Sequence, residues 1–285
     1  MEKILYGDII KEEKSEILRK EIDKINKKLK LVVIRVEGND ASKVYVNTKR
    51  KACETLGILF EEIVYNNNVH QEEIIDKIKH LNSDNSVTSV LVQLPLPNQL
   101  DTYSIINTID YKKDVDGLTY TNIGLQYFNK GITPCTAKGI ISMLNYYDID
   151  LESKKVLIIN RSNLVGKPLI PLLLNKNATI TVAHSKTTNL KELTLSSDII
   201  ITAVGKPNFI TKDMVTPSSI IIDVAMNRVN DKLTGDASFD ELKDYITSIS
   251  PVPKGVGPMT VISIIENIID CYKLQNNLAL TIDKC

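Results

Sequence analysis

Residues 156–174 read VLIINRSNLVGKPLIPLLL. The run VLIIN (156–160) is short, apolar and β-branched, which predicts a buried strand. RSNLVGKP (161–168) gathers the Ser, Asn, Gly and Pro of a loop, and the apolar stretch from about Gly166 predicts a helix. The same rhythm continues toward the C-terminus through ATITVA (178–183), DIIITAV (198–204), SIIIDVA (219–225) and a last strand near 246–250. Strands separated by helix-length segments pair in parallel, because a parallel crossover needs a dozen or more residues. Toward the N-terminus, strands are expected at LVVIRV (31–36), 58–64 and VTSVLVQL (87–94). Helices are expected near 10–29, from Ser42 as cap to Leu56 with Gly57 as stop, near 71–81, and over Leu100–Asp110. The turn-rich segment 110–139 breaks the rhythm, and a helix over about 136–147 marks a junction. The expectation is an α/β protein of two α/β domains, residues 1–147 and 148–257, flanking a cleft. The second sheet is expected to be the smaller, and the helical segment 258–285 to pack back on the first domain.

Composition narrows the functions. The 285 residues carry 35 Lys+Arg against 35 Asp+Glu, with 43% hydrophobic and 25% charged residues. That balance supplies no broad field for nucleic acid or anionic lipid. No apolar run approaches the roughly 18–20 residues of a membrane span, and MEKILYGDIIKEEK has no signal-peptide core. Cys53, Cys135, Cys271 and Cys285 are scattered and the three His lack metal-ligand spacing. Reduced thiols, a cytoplasmic location and no metal are expected.

Several patterns carry chemistry, although each singly also fits an ordinary structural role. Tyr45 and Lys49 stand four apart on an expected helix and share a face, setting an aromatic platform beside an amine. Such an amine serves as a base when neutral, and desolvation or a nearby cation favours that form. Gln93, ahead of Leu94 and Pro95, closes a strand where open α/β sheets bind ligands, and offers a donor and an acceptor to a heterocycle. Asp114-Val115-Asp116-Gly117 lacks the remainder of a calcium loop; a carboxylate accepting from an amino-substituted ring is the better reading. In the second domain the strand–loop–helix unit aims backbone N–H groups at an anion, though the glycine fingerprint of dinucleotide sites is missing. Arg161 and Ser162, with His184-Ser185 after the next strand, stand where phosphate oxygens are held, which favours NADP over NAD. Finally, PVPKGVGPMT (251–260) fixes a backbone against which a ligand could lie.

The ordered succession YVNTKRKACETLGI, VQLPLP, KDVDGL, PCTAKG, RSNLVGKP, AHSKT, DIIITAVGKP, IIDVAMNR and PVPKGVGPMT closely resembles the bifunctional methylenetetrahydrofolate dehydrogenase/methenyltetrahydrofolate cyclohydrolase family, from about residue 31 to 270. The resemblance implies a second domain of Rossmann-like form. It also implies oxidation of 5,10-methylenetetrahydrofolate with NADP, then hydrolysis of the methenyl form to 10-formyltetrahydrofolate, in a homodimer without metal. On the matching positions, Tyr45 stacks on the folate rings, Lys49 is the general acid/base, Gln93 positions it, and Asp116 binds the pterin edge. Leu94, Pro95, Gly257, Pro258 and Thr260 line the substrate. Asn160, Arg161, Ser162, Val165, Gly166, His184, Ser185, Thr187, Ala203, Val204, Gly205, Asp223 and Ala225 line the cofactor. Asn160, Ala225 and Lys254 each stand where the family pattern has Gly. A cyclohydrolase with weakened or lost dehydrogenase activity is therefore the alternative reading. A short-chain dehydrogenase shares Tyr-x-x-x-Lys but places its glycine-rich loop ahead of the Tyr, and a non-catalytic binding module would have no use for the Tyr45, Lys49, Gln93 and Asp116 set.

Overall fold

The structure, a computed structural model, describes residues 3–280; the last five residues of the expected segment 258–285 lie outside them. The chain forms two compact units. One comprises Lys14–Cys135 with the chain from Val261, the other the chain up to Glu13 with Thr136–Thr260.

The first half of the chain runs α1 (Gly7–Asp23), β1 (Lys30–Val36), α2 (Asp40–Thr55), β2 (Leu59–Tyr65), α3 (Gln71–Ser83), β3 (Ser89–Val92), α4 (Thr102–Asn107) and α5 (Tyr120–Gln126). The strands order as β2-β1-β3, all parallel. A one-residue parallel bridge from Val90 to Asp114 adds a fourth edge. Val32, Ile34, Val90 and Val92 turn one face of this sheet into a core closed by Ile74, Ile78, Leu81 and Ile105. Leu31, Val33 and Leu91 on the opposite face are buried as well. Burial on both faces explains why these strands read as continuous apolar runs rather than as alternating ones.

Helix α2 starts earlier than expected. Asn39, not Ser42, caps it, with its side-chain oxygen accepting from Ser42 N at 3.0 Å. Ser42 sits three residues inside, where its N–H is the orphan that a cap must satisfy. Gly57 does stop the helix: at φ +72° it donates to Glu54 O while Ile58 N donates to Cys53 O, the paired bonds of a Schellman ending. The expected helix near 10–29 ends at Asp23, and α5 falls within the turn-rich stretch.

The second half runs α6 (Cys135–Tyr146), β4 (Lys155–Ile159), α7 (Gly166–Leu174), β5 (Thr179–Ala183), α8 (Leu190–Leu195), β6 (Ile199–Thr202), β7 (Ile220–Asp223), β8 (Asn227–Val229), β9 (Lys232–Thr234), α9 (Phe239–Leu242), β10 (Ser248–Ile249) and α10 (Val256–Gln275). Its main sheet is five-stranded and parallel, in the order β10-β7-β6-β4-β5. This corrects the expectation of a smaller second sheet: five strands stand against three. Strands β8 and β9 form a hairpin through Asn230 and Asp231, both at positive φ, as a tight primed turn requires. Leu157, Ile159, Ile200 and Ile221 pack with Ile210, Leu242 and Ile246 to make the core.

In α10, Asn267 Nδ2 donates to Val115 O and Thr133 O, each at 2.8 Å, and Gln275 Nε2 donates to Thr88 O at 2.8 Å. These amides fasten the C-terminal helix to the unit that contains β1–β3.

Candidate active site

The first group of residues assembles at the carboxyl ends of β1 and β3. Gln93 continues the ladder past β3, its N–H donating to Ile34 O at 2.8 Å, and its side chain is nearly buried. Its Nε2 donates to Leu94 O at 2.7 Å, which turns Oε1 outward, and Oε1 accepts from Lys49 Nζ at 2.9 Å. Ser42 Oγ also donates to Leu94 O, at 3.4 Å, so helix α2 is tied to the same carbonyl that orients the Gln93 amide. The Leu94–Pro95 peptide is cis.

Lys49 has no carboxylate partner among the described residues. The neighbouring cations do have one: Arg35 Nε donates to Glu62 Oε1 at 2.8 Å and Arg50 to Glu62 Oε2, and Arg50 also lies 4.6 Å over the Phe60 ring. Glu62 thus holds both guanidiniums, and the partner of Lys49 Nζ is the Gln93 amide. Tyr45 lies one turn before Lys49 and is 46% exposed, a large aromatic surface at that helix edge.

The two aspartates of Asp114-Val115-Asp116-Gly117 differ in environment. Asp114 is buried and accepts from Thr119 N at 2.8 Å and Asn122 Nδ2 at 3.0 Å; burial raises its pKa against those bonds. Asn122 also donates to Tyr111 O at 2.9 Å and accepts from Ile132 N at 3.0 Å, pinning the whole turn. At Gly117, φ is +65° and an added Cβ would lie 2.4 Å from Ile132 O. The turn is therefore rigid, and it presents Asp116, which is half-buried. Val90 pairs with Asp114 in parallel, so the turn that carries Asp116 starts at the β3 edge of this sheet.

A second group occupies the other unit, where the sheet order reverses between β4 and β6, the position at which doubly wound sheets bind ligands. Asn160 follows β4 and spans this point. Its Nδ2 donates to Ala203 O at 2.7 Å across the reversal, and its Oδ1 accepts from Ser162 N at 2.7 Å and Gly166 N at 3.0 Å. Val165 N donates to Ser162 Oγ at 3.1 Å. The expected array of backbone N–H groups aimed at an anion is thus corrected: Asn160 and Ser162 already occupy these donors. Gly166 is required here, since a Cβ would lie 2.1 Å from Asn160 O.

Arg161 and Ser185 are exposed. They follow Asn160 and His184, the residues just past Ile159 and Ala183, where β4 and β5 end as neighbouring parallel strands. His184 and Thr187 close the turn that presents Ser185: His184 N donates to Thr187 Oγ1 at 2.9 Å and Thr187 N to His184 O at 2.8 Å. Gly205 takes φ +76°. Asp223 is buried, and its carboxylate accepts from Ala225 N at 3.2 Å, Asp236 N at 3.1 Å and Ala237 N at 2.7 Å. Burial outweighs those bonds and pushes the Asp223 pKa up to about 7. Gly257, Pro258 and Thr260 stand in the first turns of α10, in this same unit. There Thr260 Oγ1 donates to Val256 O at 3.4 Å, and a side chain added at Gly257 meets open space.

Sequence reasoning did not find Glu62, Asn122 or Asp236. Their bonds reach residues from several segments, so none of the three left a local signal in the sequence. Among the described residues, no group of three or more His, Cys, Asp or Glu side chains could hold a metal ion, and no helix is long and apolar enough to cross a membrane.

Comparison with known proteins gives a consistent result. Residues 5–116 match the model of the tetrahydrofolate dehydrogenase/cyclohydrolase catalytic domain, and residues 134–276 that of the NAD(P)-binding domain of the same name. The chain is 43% identical over 263 residues to the bifunctional protein FolD of Clostridium novyi (strain NT), covering 90% of this chain and 95% of that one. The crystal structure of the bifunctional FolD methylenetetrahydrofolate dehydrogenase/cyclohydrolase from Campylobacter jejuni superposes with a TM-score of 0.93 at 39% identity, covering 95% of this chain and 99% of that one. The FolD of Trypanosoma brucei, solved with NADP cofactor and an inhibitor, does so with a TM-score of 0.91 at 29% identity, covering 96% of this chain and 98% of that one.

Proposed function

The chain belongs to the tetrahydrofolate dehydrogenase/cyclohydrolase family, a bifunctional enzyme of one-carbon metabolism, and we propose that Lys49, held by Gln93, is the acid/base of its hydrolytic step and that NADP is its oxidant. The observation that carries this reading is the 2.9 Å bond from Lys49 Nζ to Gln93 Oε1.

The substrate is 5,10-methylenetetrahydrofolate. Loss of a hydride from its bridging carbon leaves an amidinium-like cation, whose charge the two ring nitrogens share. Tyr45 offers the face on which the pterin stacks, and Asp116 accepts from the amino-substituted pterin edge. Leu94 and Pro95 line the wall beside Gln93. Water then adds to the cationic carbon. Lys49 Nζ takes a proton from that water and returns one to the nitrogen that leaves as the ring opens to 10-formyltetrahydrofolate. Gln93 contributes direction: its fixed Oε1 engages one N–H of Lys49, so the nitrogen lone pair faces away from the amide, toward substrate.

The nucleotide donor set fits NADP. A guanidinium (Arg161) and a hydroxyl (Ser185) stand free at adjacent strand ends beside the switch point, as an adenosine 2′-phosphate needs. Ser162, Val165, Gly166, Thr187, Ala203, Val204, Gly205 and Ala225 line the path between that phosphate and the reacting ring, while Asn160, His184 and Asp223 hold the loops that carry them. NADP supplies the hydride acceptor when bound. Asn160, standing where the family pattern has Gly, rigidifies the first loop without blocking Arg161. That favours the bifunctional reading over a cyclohydrolase alone. Gly257, Pro258 and Thr260 belong to the substrate side in this reading, and the active form is a cytoplasmic homodimer. The test is purified protein with methylenetetrahydrofolate and NADP: reduced cofactor should appear and methenyl absorbance should decay. Hydrolysis of supplied methenyl substrate with no cofactor reduction would leave only the cyclohydrolase.

A further inference from the structure

Asp236 is fully buried, and both oxygens of its carboxylate are engaged by donors from separate segments. Oδ2 accepts from Thr202 Oγ1 at 2.9 Å and Val204 N at 2.6 Å; Oδ1 accepts from Lys206 N at 2.8 Å and Asn227 Nδ2 at 3.3 Å. Thr202 ends β6, Val204 and Lys206 bracket Gly205 in its left-handed conformation, and Asn227 opens the β8–β9 hairpin. The loop Ala203–Lys206 therefore lies between two side-chain clamps. Asn160 holds Ala203 O from the β4 side, and Asp236 holds the N–H groups of Val204 and Lys206 on either side of Gly205.

We propose that Asp236 is a positioning residue for the nucleotide, fixing the Ala203–Lys206 loop in its binding shape before the cofactor arrives. The inference rests on the reading of the β4/β6 switch point as the NADP site. The loop leaves that point, and Gly205 presents bare backbone there, with Asn227 Oδ1 at 3.9 Å the nearest atom to an added Cβ. A loop so exposed has many conformations to lose on binding, and a preformed one loses fewer. The chemistry calls for a carboxylate. Val204 and Lys206 direct N–H groups at different oxygens, and an amide offers a single acceptor, so Asn would set its NH2 against one of those donors.

The experiment uses Asp236→Asn in the full chain, with three readings. Amide exchange at Val204 and Lys206 in cofactor-free protein should speed up by about tenfold or more. The Kd for NADP by calorimetry should rise by about tenfold. Hydrolysis of supplied methenyltetrahydrofolate, which needs no nucleotide, should stay within about twofold of wild type. Folded variant with wild-type exchange and wild-type Kd overturns the proposal. Equal loss of NADP binding and hydrolysis also overturns it, because that is general structural damage. If Asp236→Asn does not fold, Thr202→Val, nearly isosteric, removes one donor; a Kd raised by about threefold supports the proposal and an unchanged one overturns it. Wild-type protein that binds no NADP would defeat the reading of the switch point, while amide exchange would still decide whether Asp236 fixes the loop.

Discussion

Lys49 and Gln93, one on helix α2 and the other past the end of β3, meet through a 2.9 Å bond that orients an amine having no carboxylate partner among the described residues. The orientation is passed on from the backbone, because Gln93 Nε2 is itself fixed on Leu94 O.

Gln93→Leu keeps the volume and removes both bonds. Lys49 then has no fixed direction, and methenyl hydrolysis should fall by roughly 10²-fold at little change in substrate KM. A stopped-flow trace of methenyl decay measures it; a KM effect alone would make Gln93 a binding group only.

Arg161→Ala removes a guanidinium from the end of β4. NADP should bind about 10- to 100-fold more weakly, as for a lost charge-assisted bond, while NAD binding changes far less. Equal losses for the two nucleotides would place the 2′-phosphate elsewhere.

Lys254 has φ +81°, in the region that favours glycine, and its carbonyl accepts from Gly7 N at 2.7 Å and Asp8 N at 3.3 Å. Its side chain is mostly exposed, with Nζ 3.9 Å from Asp8. Lys254→Gly relieves the strain and keeps the carbonyl, so it should stabilise the fold by about 0.5–1 kcal/mol in urea unfolding. A lower midpoint would mean that the ion pair with Asp8 matters more than the backbone.

Asp223 has a pKa of about 7 in the fold against 3.8 as the ordinary value. Between these values the folded state holds the proton that the unfolded state has released, so this group lowers stability as pH rises from about 4 to 7. Asp223→Asn does not titrate. The stability difference between wild type and variant should therefore shrink over that window, read from unfolding midpoints at several pH values. A difference independent of pH would show that Asp223 stays charged in the fold.

Asn160→Gly strips partners from Ser162 N, Gly166 N and Ala203 O. At the half-exposed loop the loss should be about 1–3 kcal/mol in chemical unfolding. An unchanged midpoint would show that water replaces Asn160 fully.

Much of this was legible along the chain. VLIIN, ATITVA, DIIITAV and SIIIDVA each became a parallel strand, because apolar runs of that length bounded by turns have few other homes. Tyr45, Lys49 and Gln93 stand where the expected elements put them, the first two a turn apart on α2 and the third just past β3. Asp116 lies in the turn its DVDG motif announces. The division into units was not legible as a composition shift: two of its boundaries, after Glu13 and after Thr260, fall inside the continuous helices α1 and α10. Asp236 was missed for a different reason. Its partners Thr202, Val204, Lys206 and Asn227 converge only once β6 and β7 lie side by side. The loop after β4 was half-read: a loop does separate β4 from α7, but the capture of its N–H groups by Asn160 depends on where one amide points.

The most direct test of the account is the hydrolysis rate of supplied 5,10-methenyltetrahydrofolate by Lys49→Met, measured alongside its NADP affinity and melting temperature. The account predicts that hydrolysis falls to the uncatalysed rate while nucleotide binding and folding remain at wild-type levels; hydrolysis persisting at the wild-type rate in the folded variant would contradict it.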